Sequence, residues 1–144
     1  MGQQQLLLLV LGIVLVGLAV VVGIQAFEEN QKKANADAMV NDGIRLATAT
    51  QAWALKPSAF GGPAAGENLG HVTYADLGYE VNDDGDYVSL NGTYELQGMP
   101  WAGGAIFIGT SRNGEGNTVY VQVCGTDPED ISTVVNGPRQ QNCS

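Results

Sequence analysis

Leu6-Leu7-Leu8-Leu9-Val10-Leu11-Gly12-Ile13-Val14-Leu15-Val16-Gly17-Leu18-Ala19-Val20-Val21-Val22-Gly23-Ile24 is a run of nineteen residues without a polar side chain. Coiled as a helix at about 1.5 Å per residue, such a run can cross roughly 30 Å of hydrocarbon. The residues before it, Met1-Gly2-Gln3-Gln4-Gln5, contain no Lys or Arg. The positive n-region of a cleaved secretory signal is therefore missing, and the run is longer than a usual h-region. Gln25-Ala26 imitates a cleavage site only weakly, so the expectation is a retained helix. Gly12, Gly17 and Gly23 punctuate it. Glycine is frequent in membrane helices, and small residues also let helices approach closely. A strict GxxxG is absent, and both readings stay open.

Downstream, the helical signal continues. Between Gln25 and Lys56 there is no proline and a single glycine, Gly43, while alanine recurs at eight positions. Alanine is the best helix former. Phe27, Ala34, Ala38, Ile44, Ala47 and Leu55 recur at roughly helical spacing, with charges elsewhere. Pro57 ends the element, because the residue before a proline is pushed out of the α region. The expectation is one helix of about 50 residues, on the order of 75 Å long.

The chain has 144 residues, which suits one fold of ordinary size. Six Lys+Arg face fifteen Asp+Glu, for a net charge of −9. Nucleic-acid binding needs a basic footprint, so nucleic acid is excluded as an expected partner. A hydrophobic content of 44% excludes a disordered chain. Residues 1–56 hold four acids and four bases, whereas 57–144 hold eleven acids and two bases, so the whole excess lies in the C-terminal part. The expected organisation is an apolar helix over 1–24, its amphipathic continuation over 25–56, and an acidic β-rich head over 57–144.

Residues 57–70 read as a loop dense in Gly, Pro and Ala. Strand-like runs follow at Tyr87–Leu90, Thr93–Leu96, Ala105–Ile108 and Thr118–Val123. Asn91-Gly92 is a hairpin signal between the first two. The expected fold class is α+β: the long helix packed on an antiparallel sheet of about four strands. Its core would draw on Tyr87, Val88, Leu90, Leu96, Ile106, Ile108, Val119 and Val121. Asp127-Pro128-Glu129-Asp130 resembles a helix start, with Asn136-Gly137 closing a short helix.

Motifs that carry chemistry are sparse. Asn82, Asp84 and Asp86 place oxygen ligands at alternate positions, as calcium loops do, but Gly85 comes one place early and no bidentate acid follows. An acidic hairpin turn is the favoured reading. His71 is the sole histidine and is expected on the surface. Trp53 and Trp101 are expected to pack between helix and head. Asn91-Gly92-Thr93 and Asn142-Cys143-Ser144 match the N-glycosylation acceptor. No Ser-His-Asp, phosphate-loop or zinc pattern is present, so neither catalysis nor a cofactor is expected.

The run Gln3-Gln4-Gln5-Leu6 through Val14, the continuation to Lys56 and the pair Cys124 and Cys143 together resemble the architecture of type IV pilins and pseudopilins. The resemblance implies a subunit of an extracellular homopolymeric filament, held in the inner membrane before assembly, delivered by pilus assembly machinery, and displaying its head at the cell surface. Assembly would rest on Gln3, Gln4, Gln5, Leu6, Gly12, Gly17 and Gly23. Pilins carry a Glu at the fifth mature position; here that position is Gln5 counted from Met1, or Leu7 if a leader ends at Gly2. The glutamines would then replace an ion pair with amide hydrogen bonds between neighbouring helices. Cys124 and Cys143 are read as a disulfide rather than a metal pair, because no ligand set of suitable spacing surrounds them. In pilins a similar cysteine-bounded segment lies on the filament surface. The alternatives are a secretion-system pseudopilin and a single-pass membrane-anchored extracytoplasmic binding module.

Overall fold

The computed structural model describes residues 2–99, 101–112, 114, 116–140 and 143. The first element is a single helix, α1, Gly2–Ala54. It stops three residues short of Pro57, the Leu55 and Lys56 amides still bonding back to the carbonyls of Gln51 and Trp53. The chain divides into two compact units between Ala34 and Asn35. In the first, every described residue is exposed.

The second unit joins the C-terminal part of α1 to a short helix α2 (Tyr74–Leu77) and one antiparallel sheet. Its strands are β1 (Tyr87–Val88), β2 (Gly92–Met99), β3 (Gly104–Ser111), β4 (Thr118–Val123) and β5 (Ile131–Val135), in sequential order. A meander of this kind needs only short local connections, which the Gly- and Asn-rich turns supply. Thr73 caps α2 by a reciprocal capping box with Asp76, and Gly78 closes it at φ +74°.

Cross-strand register sorts the sheet into two faces. Leu96, Phe107 and Val121 lie in one row and Tyr94, Gly109 and Val119 in the next. These pack with Met39, Leu46 and Ala47 of α1, and with Leu69 and Tyr74, into the main core. Trp53, Val72 and Ala105 form a smaller cluster at the far end. Gly43 marks a close crossing: a Cβ there would collide with the Val121 side chain. On the opposite face, Ile106 and Gln122 are cross-strand partners and are also buried. Ser132, beside Gln122 on β5, donates its hydroxyl hydrogen bond to Gln140 of the C-terminal segment.

Several expectations are corrected here. Among the described residues the sheet has five strands where about four were expected. Residues 127–137 are not a short helix: a single 3-10 turn, Pro128–Asp130, leads directly into β5. The capping signals were real but local, and Ile131-Ser132-Thr133-Val134-Val135 is a β-branched run that prefers a pleated surface. Val88 and Leu90 are outside the core, Leu90 at 92% exposure. The turn lies one residue earlier than Asn91-Gly92: the Ser89 amide bonds the Gly92 carbonyl, which leaves Leu90 and Asn91 at the tip. Trp53 is a packing anchor, but Trp101 is 80% exposed. The buried face of α1 carries Ala36, Met39, Gly43, Leu46, Ala47, Thr50, Gln51 and Trp53, so only Ala47 of the expected stripe is fully buried.

Candidate functional site

Two features stand out, one in each unit. In the first, fifteen large apolar side chains between Leu6 and Ile24 are exposed, and Phe27 with them. Burying a side chain of this size is favourable by roughly 1.5–3 kcal/mol. A stretch of this kind is therefore a surface made to be covered. By length and composition the helix can cross a membrane. Gln3, Gln4, Gln5 and Leu6 lie in its first two turns, all exposed. A Cβ at Gly12, Gly17 or Gly23 would meet nothing within 4 Å. These glycines therefore have no packing role inside the chain.

The second unit holds its own part of α1, from Asn35 on, at both ends by polar clamps that sequence reading missed. At the Asn35 end, Asp42 is the hub. Its Oδ2 accepts from Ser89 Oγ at 2.8 Å and Asn91 Nδ2 at 2.9 Å, with the Tyr94 hydroxyl 3.3 Å away. That hydroxyl also donates to the Met39 carbonyl at 3.1 Å. Ser89 Oγ in turn accepts from the amides of Asn91 and Gly92, so one hydroxyl shapes the β1–β2 turn and ties it to the helix. A relay of amides runs beside it. Asn35 Nδ2 donates to the Asn91 carbonyl, Asn117 Nδ2 to Asn35 Oδ1, and Asn136 Nδ2 to Asn117 Oδ1. At the other end, Gln51 Nε2 donates to the carbonyls of Gly125 at 2.9 Å and Asp127 at 2.6 Å.

Buried polar groups are tolerated when they are paired, and the pairs that tie α1 to the sheet and its turns span separations of 47 to 82 residues. No local pattern announces such partners, although polar residues inside a helix-period stretch (Asn35, Asp42, Gln51) were a signal available to find them. Burial holds the Tyr94 and Tyr74 hydroxyls well above the ordinary tyrosine range, with nearby carboxylates adding to the effect. Tyr74 donates its proton to the Tyr94 carbonyl at 2.6 Å, which extends the network into the core.

Asn82 Oδ1 accepts from the amides of Asp84 and Asp86, and Gly85 takes φ +90°. One of the three calcium-candidate oxygens thus organises the turn itself. Burial, then the charges of Glu95 and Asp84, raises the Asp86 carboxyl. Among the described residues no group of three His, Cys, Asp or Glu side chains is arranged to hold a metal ion. His71 is exposed, with Nδ1 3.2 Å from Asn68 Oδ1. The Asn91 side-chain nitrogen, which would carry a glycan, is engaged by Asp42. Asn142 lies outside the described residues. Cys124 and Cys143 form a disulfide with Cα atoms 5.3 Å apart. Gln122 Nε2 lies 3.3 and 3.4 Å from the two sulfurs.

The fold and its exposed surface define the class: an α+β chain whose N-terminal helix is long and apolar enough to span a membrane, with a disulfide-closed five-stranded sheet. No family model matches the chain, and no curated protein or solved structure matches it.

Proposed function

We propose that the chain is a structural subunit of an extracellular pilin-like helical filament. The observation that carries this reading is the exposed apolar surface of Leu6–Ile24, continuous with a helix whose later turns are clamped into an acidic unit. Before assembly the apolar helix resides in the inner membrane. On extraction by an assembly machinery, helices from many copies bundle and bury the same surface against one another, at about 25 cal/mol per Å². The acidic units coat the outside and keep filaments apart. Gln3, Gln4 and Gln5 pair through amide hydrogen bonds between neighbouring helices, and Gly12, Gly17 and Gly23 admit their close approach.

A single-pass anchor that displays the second unit draws on the same helix, and a pseudopilin uses the same assembly on a smaller scale. Fractionation separates the three. A filament subunit is abundant in the material sheared from intact cells. A pseudopilin is scarce and stays with the envelope, and an anchored module is released only by detergent. Replacing Gln3, Gln4 and Gln5 together by Ala is expected to lower the sheared yield while leaving membrane insertion intact. Unimpaired filaments in that variant would remove the role given to the glutamines.

A further inference from the structure

The two ends of the second unit differ in charge and match in exposed apolar groups. The β1–β2 turn and Arg112, just past β3, lie at the end where Asn35 enters; Arg112 Nη1 donates to the Ser89 carbonyl at 3.2 Å. A groove of about 430 Å³ opens there, lined by Arg45, Arg112, Asp42, Ser89, Leu90 and Asn91 among others. Residues 35–144 carry thirteen acids and only four bases, and two of those four line this one groove. The single acid in it, Asp42, already accepts the Ser89 and Asn91 donors. Leu90 stands at its edge, 92% exposed.

The opposite end holds the β2–β3 connection with Trp101, 80% exposed, and the β4–β5 turn Asp127-Pro128-Glu129-Asp130. Gln51 fixes that turn through the Asp127 carbonyl. Asp130 Oδ2 accepts from the Asp127 amide at 3.1 Å, which occupies that carboxylate within the turn itself. Glu129 is exposed, with no hydrogen bond or ion pair among the described residues. Strands of six to eight residues separate the two ends, a distance of roughly 20 Å.

We infer that the Glu129–Trp101 end of one copy docks in the Arg45–Arg112 groove of a second copy, with Leu90 against the incoming apolar side chain. The occupant is chosen by charge complementarity: a strongly acidic molecule has few places where another acidic molecule can approach, and this groove is one of them. Because the two patches differ, the contact is heterologous and repeats from copy to copy, giving an open filament where the rotation between copies does not close a ring. It supplies the partner for the heads in the filament proposed above and rests on that reading for its repetition, though not for the pairwise contact.

The test is a zero-length cross-link on the full-length chain, in cells and in detergent. Arg112→Lys keeps the positive charge and supplies an amine, which a carbodiimide couples to a carboxylate with loss of water. The expected result is a ladder of covalent oligomers in which the peptide containing position 112 is joined to the peptide containing Glu129. The span between these positions is too long for the link to form inside one chain. Adding Glu129→Gln is expected to abolish that link while the Cys124–Cys143 disulfide still forms, which shows that the second unit has folded. Absence of the 112–129 link while other carboxylates couple overturns the inference, as does its persistence in the Glu129→Gln variant or coupling of position 112 to a different protein. Fibres without this link leave the filament reading standing and remove the docking; the link without fibres does the reverse.

Discussion

Tyr94 shows how much rests on one side chain. It is 1% exposed, lies in the row of the sheet that faces α1, and uses its hydroxyl on the Met39 carbonyl beside Asp42. Tyr94→Phe removes the donor but leaves the acceptors buried, and is expected to cost about 1–3 kcal/mol in chemical denaturation of the full chain. Tyr94 and Tyr74 also set an alkaline limit. Both hydroxyls are raised in the fold above their ordinary value of 10.0, first by burial. Above that value the unfolded chain has released protons that the folded chain still holds, so unfolding is favoured as pH rises. The stability these groups contribute is complete below pH 10 and falls as pH climbs beyond it, by up to about 1.4 kcal/mol per pH unit for each tyrosine. Denaturation midpoints at pH 8, 10 and 11 on wild type and Tyr94→Phe check this: the variant is expected to show the shallower fall.

At the scale of elements, the helix–sheet contact is set by Gly43. Substituting Gly43→Ala improves helix propensity by up to about 1 kcal/mol. Against that, the new methyl collides with the side chain of Val121, a β-branched residue that is itself fully buried and cannot swing aside. Overpacking of this kind costs about 1–3 kcal/mol, so net destabilisation is expected, with Val121→Ala in the same chain recovering part of it. Thermal denaturation of the three variants decides the sign. The Cys124–Cys143 bridge closes the C-terminal segment beside β4 and β5. Its loss in a Cys124→Ser/Cys143→Ser double variant is expected to lower stability by roughly 3 kcal/mol on the chain-entropy argument.

Elements that declare themselves locally were legible in the sequence. Alanine content and the absence of proline forecast α1, and alternating β-branched and aromatic runs forecast β2, β3 and β4. The elements missed were the four-residue helix α2 and the strand β5, where capping residues at Asp127 and Pro128 concealed the strand-forming run after them. The buried face of α1 was missed for a different reason. Five of its eight residues are small or polar (Ala36, Gly43, Ala47, Thr50, Gln51), and they are buried because distant groups, such as the Gly125 and Asp127 carbonyls for Gln51, satisfy or accommodate them. Trp101 carried a packing expectation that belongs to tryptophan in general, whereas its turn leaves it in the open. The polar clamps around Asp42 were missed because their partners lie some fifty residues away and have no pattern of their own; only the polar residue inside a helix-period stretch hinted at them.

At the scale of the whole molecule, the account rests on one imbalance. Nineteen apolar residues at the N-terminus leave fifteen large side chains uncovered, while the acidic excess is concentrated in the second unit. A charge placed in the middle of the run, Leu15→Arg, is expensive in any apolar surrounding and is expected to deplete both the membrane fraction and the sheared material. Immunoblots of the two fractions read this directly, and an unchanged sheared yield would speak against a buried helix core. The most direct measurement of the central claim is electron cryomicroscopy of fibres sheared from intact cells, with the subunit identified by mass spectrometry. The account predicts thin fibres built of this chain, with Leu6–Ile24 of successive copies bundled along the axis and the acidic units outside. Fibres that lack the chain, or a chain recovered only by detergent and never in fibres, would contradict it.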